Sequence, residues 1–187
     1  PGGGLAGIST QNVNVATDAT EGVDVNITYL LDMSDMGSIN FDYAATFLDT
    51  GYTIAIPGDD KVECAGAYAG PCGLPAPEYN HRFLATWVTP YDLTVSATWR
   101  HIGETDLYGL TDPQGYLEDS MEQRNYLDLA AAYDYSENVQ VRFGANNLLG
   151  DDAPVTTSSG TGTGNNNTYP GLFDVSTYLF AGVTVKF

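Results

Sequence analysis

The feature of this sequence that most constrains its fold is an alternation of apolar and polar residues with a period of two. At the C-terminal end, Thr177, Leu179, Ala181, Val183, Val185 and Phe187 alternate with Ser176, Tyr178, Phe180, Gly182, Thr184 and Lys186. Successive side chains of a β-strand point to opposite faces, so this pattern predicts a strand with one apolar face and one mixed face. The helical period is nearly absent from the chain, which is therefore expected to be all-β.

The same alternation predicts seven strands. They cover approximately residues 11–32, 37–49, 78–89, 92–102, 123–135, 139–147 and 174–187. Within the first, the segment from Asp18 to Gly22 has a turn-like composition that would divide it into two strands. Its flanking apolar residues all have odd numbers, which favours one long strand without a slip in phase. The odd-numbered apolar residues are Val13, Val15, Val23, Val25, Ile27, Tyr29 and Leu31. The two-strand interpretation remains as an alternative.

The connections between these strands alternate in length. Residues 32–36, 90–91 and 136–138 form short connections, whereas 50–77, 103–122 and 148–173 form long ones that are rich in Gly, Pro, Asp, Thr and Asn. Short turns at one end and long loops at the other are typical of outer-membrane β-barrels, whose short turns are periplasmic. The sequence therefore predicts an antiparallel meander of about seven transmembrane strands, with Phe187 at the periplasmic rim. Bacterial single-chain barrels use even strand numbers, so an odd count predicts part of a larger barrel.

Composition and charge exclude several other classes of protein. The chain has a formal net charge of -18 and only 6 Lys and Arg residues. Nucleic-acid binding needs clustered basic residues, so no nucleic-acid partner is expected. No stretch approaches the roughly 18 apolar residues that a membrane-spanning helix requires. The charged fraction of 16% and the 13 tyrosines suit strands whose outer surface does not face water.

Cys64 and Cys72 are the only two cysteines, and they lie in a stretch rich in Gly, Pro and Ala. This isolated pair predicts a disulfide formed in an oxidising compartment. Its spacing is too wide for a C-x-x-C redox motif. The only histidines, His81 and His101, are predicted on different strands and on the apolar side, without a nucleophile motif. We therefore expect no catalytic residues, no metal and no cofactor, and interpret the protein as not an enzyme.

Two adjacent segments carry a family resemblance. Residues 126–135, YLDLAAAYDY, are followed by residues 139–154, VQVRFGANNLLGDDAP. Together they resemble the C-terminal end of TonB-dependent outer-membrane receptors, in which a DLxxxY strand precedes a G-x-N-N-L hairpin. Residues 20–29, 99–103 and 178–187 are also similar to this family. The resemblance covers about residues 10–187, and its most specific parts are the Asn-Asn-Leu stretch and the terminal Phe.

This resemblance implies a fold, a location and a set of partners. Such receptors form a barrel of about 22 strands filled by an N-terminal plug, and they import siderophores, cobalamin or oligosaccharides with energy relayed through TonB. Residues 1–10 are then expected to end an extracellular loop, and residues 11–187 to be the last strands of the barrel, without the plug domain. The expected location is the outer membrane of a Gram-negative bacterium. The implied partners are outer-membrane lipid, the barrel-assembly machinery, the missing N-terminal barrel and plug, and TonB through that plug.

Several residues are candidates for roles in such a barrel. Phe187, with Val185, Val183 and Leu179 at alternate positions before it, resembles the C-terminal signal for barrel assembly. An aromatic girdle at the membrane boundary is predicted from Tyr29, Tyr43, Trp87, Trp99, Tyr133, Tyr135 and Phe143. Charges predicted to face the lumen and to neutralise one another are Asp24, Asp42, Arg82, Arg100, Asp128, Asp134, Arg142 and Lys186. The loop tyrosines Tyr68, Tyr108, Tyr116 and Tyr169 are candidates for stacking on a ligand.

Two other interpretations remain open at this stage. One is a complete eight-stranded outer-membrane barrel with an adhesive or structural role, which requires residues 11–32 to split into two strands. The other is a secreted, soluble β-sandwich that acts as a binding module, with its apolar faces packed against each other.

Overall fold

The structure, a computed structural model, describes residues 16–109, 120–156, 168–169 and 171–187. The strands are β1 (Thr17–Asp32), β2 (Ser38–Ile54), β3 (Val62–Glu63), β4 (Ala67–Tyr68), β5 (Tyr79–Val88), β6 (Leu93–Ile102), β7 (Thr105–Leu107), β8 (Ser120–Met121), β9 (Arg124–Ser136), β10 (Val139–Asn146) and β11 (Tyr178–Val185). Two short 3-10 helices occupy Ser34–Met36 and Gly70–Cys72. Among the described residues, no helix is both long and apolar enough to cross a membrane.

Seven long strands form one antiparallel meander in the order β1-β2-β5-β6-β9-β10-β11. This confirms the predicted fold class and the predicted alternation of short and long connections. The remaining strands have two or three residues each, and sequence reasoning missed them because so short a segment shows no alternation. β3 extends the edge of β2, while β4, β7 and β8 form a separate small sheet in the loops.

The first strand runs without interruption through the turn-like segment, so the single-strand interpretation is confirmed for residues 17–32. Val13 and Val15 lie outside the described residues. A β-bulge accompanies this segment, because Glu21 pairs with Thr50 and Gly22 pairs with Leu48, which leaves Asp49 as an extra residue in β2. The bulge shifts the phase of β2 by one residue. For this reason the predicted end of β2, at residue 49, was five residues short of its observed end at Ile54.

The last strand begins at Tyr178, four residues after its predicted start at residue 174. Ser176 has a positive φ of 51°, which is incompatible with an extended strand. Asp174 instead belongs to the long loop before β11. The strand ends at Val185, so Lys186 and Phe187 follow it.

The register divides the side chains between two faces. One row of paired residues crosses the sheet through Leu31, Ile39, Trp87, Val95, Ala131, Phe143 and Ala181. Another row, five residues away along each strand and on the reverse side, runs through Asn26, Ala44, Arg82, Arg100 and Tyr126. We refer to the side of the first row as the apolar face and to the side of the second as the polar face. Directly paired residues point to the same side, so the predicted alternation holds across all seven strands.

The apolar face is exposed, with Ile27 56%, Phe143 54% and Leu179 73% accessible. Nothing among the described residues packs a second layer onto it. A soluble β-sandwich would bury this face between two sheets, so the arrangement disfavours that interpretation. The principal buried cluster instead lies among the loops and the loop ends of the strands, and comprises Tyr68, Ala69, Ile102, Met121, Tyr126, Tyr169 and Phe173.

The described sheet is open. β1 pairs with β2 and β11 pairs with β10, and no pairing joins β1 to β11 in the described part of the chain. The eight-stranded alternative needs both a split near Asp18 and pairing of the first and last strands. The described residues provide neither.

Candidate functional site

The charged residues that the sequence predicts on one face of the sheet lie on the polar face. Asp24, Asp42, Arg82, Arg100, Asp128, Asp134 and Arg142 all lie on it by register. Lys186 lies one residue beyond β11. The shared placement follows from the period of two, because all seven residues occupy even-numbered positions in stretches of strand without a bulge. Whether this face meets a lumen stays a prediction.

Arg100 is at the centre of the charge network on this face. Its Nη2 atom lies 3.3 Å from Asp128 Oδ2, and it also donates a hydrogen bond to the carboxylate of Asp174. Its guanidinium carbon lies 5.0 Å from the centre of the Tyr126 ring. The predicted neutralisation across neighbouring strands is thus realised for Arg100 and Asp128. Sequence reasoning missed Asp174 because it is distant in sequence and lies in an irregular segment.

The other predicted acids on this face accept hydrogen bonds from neutral side chains. Thr46 Oγ1 donates to Asp24 at 2.6 Å, Thr28 Oγ1 to Asp42 at 3.0 Å, and Gln140 Nε2 to Asp134 at 2.8 Å. Arg82 and Arg142 form no ion pair with any described residue. Arg82 is exposed and is the direct strand partner of Arg100. The face therefore carries one neutralised guanidinium beside one that has no ion-pair partner in the described part of the chain.

An open groove of about 330 Å³ lies at this position. Its lining includes Thr46, Asn80, Arg82, Arg100, Ile102 and Leu172. Hydroxyl, amide and guanidinium groups stand next to aliphatic side chains. Such a mixture suits a ligand that is anionic in one part and apolar in another.

The four loop tyrosines occupy different environments. Tyr68 and Tyr169 are 1% and 4% exposed, and their rings meet edge to face with centroids 6.3 Å apart. Their burial favours a packing role over stacking on a ligand. Tyr108 is 38% exposed, and Tyr116 lies outside the described residues. Ligand contact by these residues stays a prediction, with Tyr108 as the accessible member of the described three.

The predicted disulfide between Cys64 and Cys72 is confirmed, with the two Cα atoms 5.3 Å apart. The bridge encloses β4, which carries the buried Tyr68. Next to the bridge, the backbone N–H of Gly51 donates to Glu63 Oε1 at 2.6 Å. This hydrogen bond lowers the pKa of Glu63 below its ordinary value, because it favours the charged carboxylate. The disulfide loop is thus anchored to the end of β2.

Asn147 gives the Asn-Asn-Leu motif a structural explanation. It is fully buried and has a positive φ of 50°, a conformation that Asn tolerates better than most residues. Its backbone N–H donates to Asp128 Oδ1 at 2.8 Å, and its carbonyl accepts from Thr177 Oγ1 at 2.8 Å. Its amide side chain exchanges two hydrogen bonds with the backbone of Asp151, both 3.0 Å long. Asn147 therefore ties together the ends of β9 and β10 and the loop that leads to β11.

Of the predicted girdle residues, Tyr29, Tyr43, Trp87, Trp99, Tyr133 and Phe143 share the apolar face, whereas Tyr135 is the extra residue of a bulge in β9 and has no partner in the register. Trp87 Nε1 donates to Met36 O at the short-turn end, and Trp99 Nε1 donates to Asn125 Oδ1 toward the long-loop end. A ring on an apolar surface with its N–H bonded at the boundary suits a membrane interface. Leu179, Val183 and Val185 are exposed on the same face, and Phe187 is exposed beyond it. The girdle and the assembly signal stay predictions.

The two histidines lie on the apolar face, as the parity of their positions predicted, and they are direct strand partners. Their rings are nearly parallel, with centroids 5.3 Å apart. Sequence reasoning missed this contact because the pairing register was not known. Among the described residues, no group of three or more His, Cys, Asp or Glu side chains converges on one point.

Comparison with known proteins identifies the fold. No protein-family model matches the chain, and no curated protein matches it in sequence. A solved mutant form of the ferric enterobactin receptor of Pseudomonas aeruginosa matches with a TM-score of 0.59 and 16% identity, over 90% of this chain and 22% of the receptor. A second mutant form, in complex with enterobactin, matches with a TM-score of 0.58 and 16% identity over 89% of this chain and 22% of the receptor.

These structural matches establish the architecture of the chain and the share of a receptor's length that it spans. The chain is an antiparallel meander that matches part of the barrel of a TonB-dependent receptor. It spans about a fifth of the length of the solved receptors that it matches, since each is covered to 22%.

Proposed function

We propose that this chain is a segment of the barrel wall of a TonB-dependent receptor in a Gram-negative outer membrane. The observation that carries the proposal is a single open sheet of seven antiparallel strands with one exposed apolar face and one polar face. A barrel wall needs this combination, because its outside meets hydrocarbon while its inside meets water or a polar plug. Outer-membrane lipid, the barrel-assembly machinery, the rest of the barrel and its plug, and TonB acting through the plug are the proposed partners.

The proposed activity of the whole receptor is the import of a ferric siderophore. The two solved relatives are named as ferric enterobactin receptors, which supports a siderophore over cobalamin or an oligosaccharide. The groove on the polar face supports an anionic cargo, because the guanidinium of Arg82 forms no ion pair with a described residue. The proposal concerns binding and transport and includes no catalytic step.

The test uses the full gene in its source bacterium under iron restriction. Deletion of the gene is expected to abolish growth on one ferric siderophore, with ferric enterobactin as the first probe, and re-expression is expected to restore it. Arg82→Ala is expected to weaken binding of that probe about 10-fold or more, because a charge-assisted hydrogen bond contributes about 1.5–3 kcal/mol. Arg142→Ala is the matched control, since Arg142 shares the face but does not line the groove.

The deletion tests the import function, and the two arginine variants test the binding site. If the deletion strain takes up ferric enterobactin, cobalamin and oligosaccharides as well as the parent does, the import function is wrong. If deletion abolishes siderophore uptake while Arg82→Ala and Arg142→Ala bind equally well, import stands and the groove is not the binding site.

A further inference from the structure

The apolar face is interrupted at one place by polar side chains. His81 pairs with His101, and His101 pairs with Asn125, so the three residues form one row across β5, β6 and β9. His81 is the third residue of β5 and His101 is the next-to-last residue of β6, so the row lies near the long-loop end of the strands. Polar groups on an otherwise apolar outer face are costly and call for a partner.

The tautomer of the neutral His101 ring follows from its neighbours. The indole N–H of Trp99 can only donate, and it lies 3.0 Å from one side-chain atom of Asn125, which must therefore be the oxygen. The Nδ1 atom of His101 lies 3.0 Å from the same oxygen and must carry the proton of that hydrogen bond. In the neutral ring, the lone pair of His101 then resides on Nε2, which bonds to no described residue.

His81 lacks partners at both ring nitrogens. Neither Nδ1 nor Nε2 forms a hydrogen bond with a described residue, although both atoms are buried. Aromatic rings surround it, with the Trp99 ring centre 4.5 Å away, Tyr79 5.4 Å and Tyr43 5.8 Å. Buried polar atoms in proteins are nearly always paired, and an exception points to a bound ion or water.

We propose that His81 and His101 form a binding site for a divalent transition-metal ion of the Cu²⁺, Ni²⁺ and Zn²⁺ group, which links β5 to β6. Neutral imidazole is a good ligand for these ions and a poor one for Mg²⁺ or Ca²⁺. The lone pair on His101 Nε2 favours a cation over an anion such as a lipid phosphate, which would need a donor at that atom. The hydrogen bond from His101 Nδ1 to Asn125 is the arrangement that commonly orients a metal-binding histidine.

The register provides the spacing that such a site needs. Directly paired residues on antiparallel strands have Cβ atoms about 4.5–5.5 Å apart, and a metal joins two imidazole nitrogens at about 2.0–2.1 Å each. The two rings stack with an angle of 15° between their planes, so a shared ion requires one ring to turn its edge toward it. With His101 held by Asn125, rotation of the His81 side chain turns one of its nitrogens toward an ion on His101 Nε2, with water in the remaining positions. The inference rests on this pairing and not on the proposed cargo.

The test uses the full-length receptor, purified without a histidine tag in detergent micelles and titrated with CuCl₂. Electron paramagnetic resonance is expected to show nitrogen coupling from two imidazoles, and calorimetry to show binding that His81→Phe and His101→Phe each weaken at least 10-fold. Phenylalanine keeps the bulk of the aromatic cluster while removing the ligand atoms. Asn125→Ala is expected to weaken binding by a smaller factor, because it only positions His101. The heat-dependent gel mobility of folded barrels verifies that each variant is folded.

Two results would overturn the proposal. One is equal Cu²⁺ affinity in the parent protein and in the folded double variant carrying His81→Phe and His101→Phe. The other is a lipid phosphate that co-purifies with the parent, is lost from the double variant, and is accompanied by no imidazole-coupled Cu²⁺ signal. That second result would assign the row to an anion.

Discussion

At the scale of single residues, the hairpin after β10 depends on Asn147. Four hydrogen bonds link its backbone and side chain to Asp128, Asp151 and Thr177. The amide of Asn offers a donor and an acceptor on two separate atoms of a short side chain, and Asn also tolerates the positive φ. The neighbouring Asn146 is exposed and belongs to β10, so the two residues of the motif differ in their contribution.

Replacing Asn147 is expected to destabilise the folded receptor. Asn147→Ala removes both side-chain hydrogen bonds and leaves backbone groups of the half-buried Asp151 without these partners, which costs about 2–4 kcal/mol in the free energy of unfolding. Urea unfolding of the full-length receptor in detergent, followed by tryptophan fluorescence, measures the loss. Asn146→Ala is the control and is expected to change stability by less than about 0.5 kcal/mol. Equal losses for the two variants would contradict the role given to Asn147.

At the scale of elements, the alternation located all seven long strands, because a sheet with two different faces imposes a strict period on the sequence. The alternation failed to predict the structure where a strand is irregular and where strands are only two or three residues long. The bulge at Asp49 shifts the phase of β2, and the positive φ of Ser176 delays the start of β11. The small sheet of β4, β7 and β8 depends on contacts between separate loops, which no local pattern encodes. The ion pair of Arg100 with Asp174 could not be predicted either, because Asp174 lies in an irregular loop. The ion pair of Arg100 with Asp128 could be predicted, because both residues lie on the same face of neighbouring strands.

Gly144 shows how a single position maintains contact between strands. A Cβ atom there would lie 2.5 Å from Leu129 O and 2.5 Å from Cζ of Phe180, whose ring covers the glycine on the polar face. Gly144→Val is therefore expected to force β9, β10 and β11 apart, at a cost of about 1–3 kcal/mol. The temperature at which the heat-dependent gel mobility of the receptor changes measures this effect. Ala145→Val, on the apolar face of the same strand, is the control; a variant of Gly144 as stable as that control would refute the explanation.

At the scale of the whole molecule, the open edges and the exposed apolar face predict the behaviour of residues 1–187 expressed alone. In the described part of the chain, β1 and β11 each pair with another strand on one side only, and apolar side chains such as Leu179 and Val183 remain exposed. Such edges recruit further strands, so the piece is expected to form oligomers or aggregates in buffer without detergent. Size-exclusion chromatography with light scattering measures the mass. A stable monomer under those conditions would show that the described faces do not meet lipid or other strands.

The pairing of β1 with β2 continues past the end of the neighbouring strand β5. β5 accompanies β2 only from Ser38 to Phe47, whereas β1 continues along β2 to Ile54. The β1–β2 pair therefore continues on the order of 20 Å past the end of β5, at about 3.4 Å per residue, and β3 pairs with β2 along this extension. In the proposed orientation this extension lies on the cell-surface side of the sheet. An antibody or a bacteriophage that approaches the cell would encounter this extension before the end of β5.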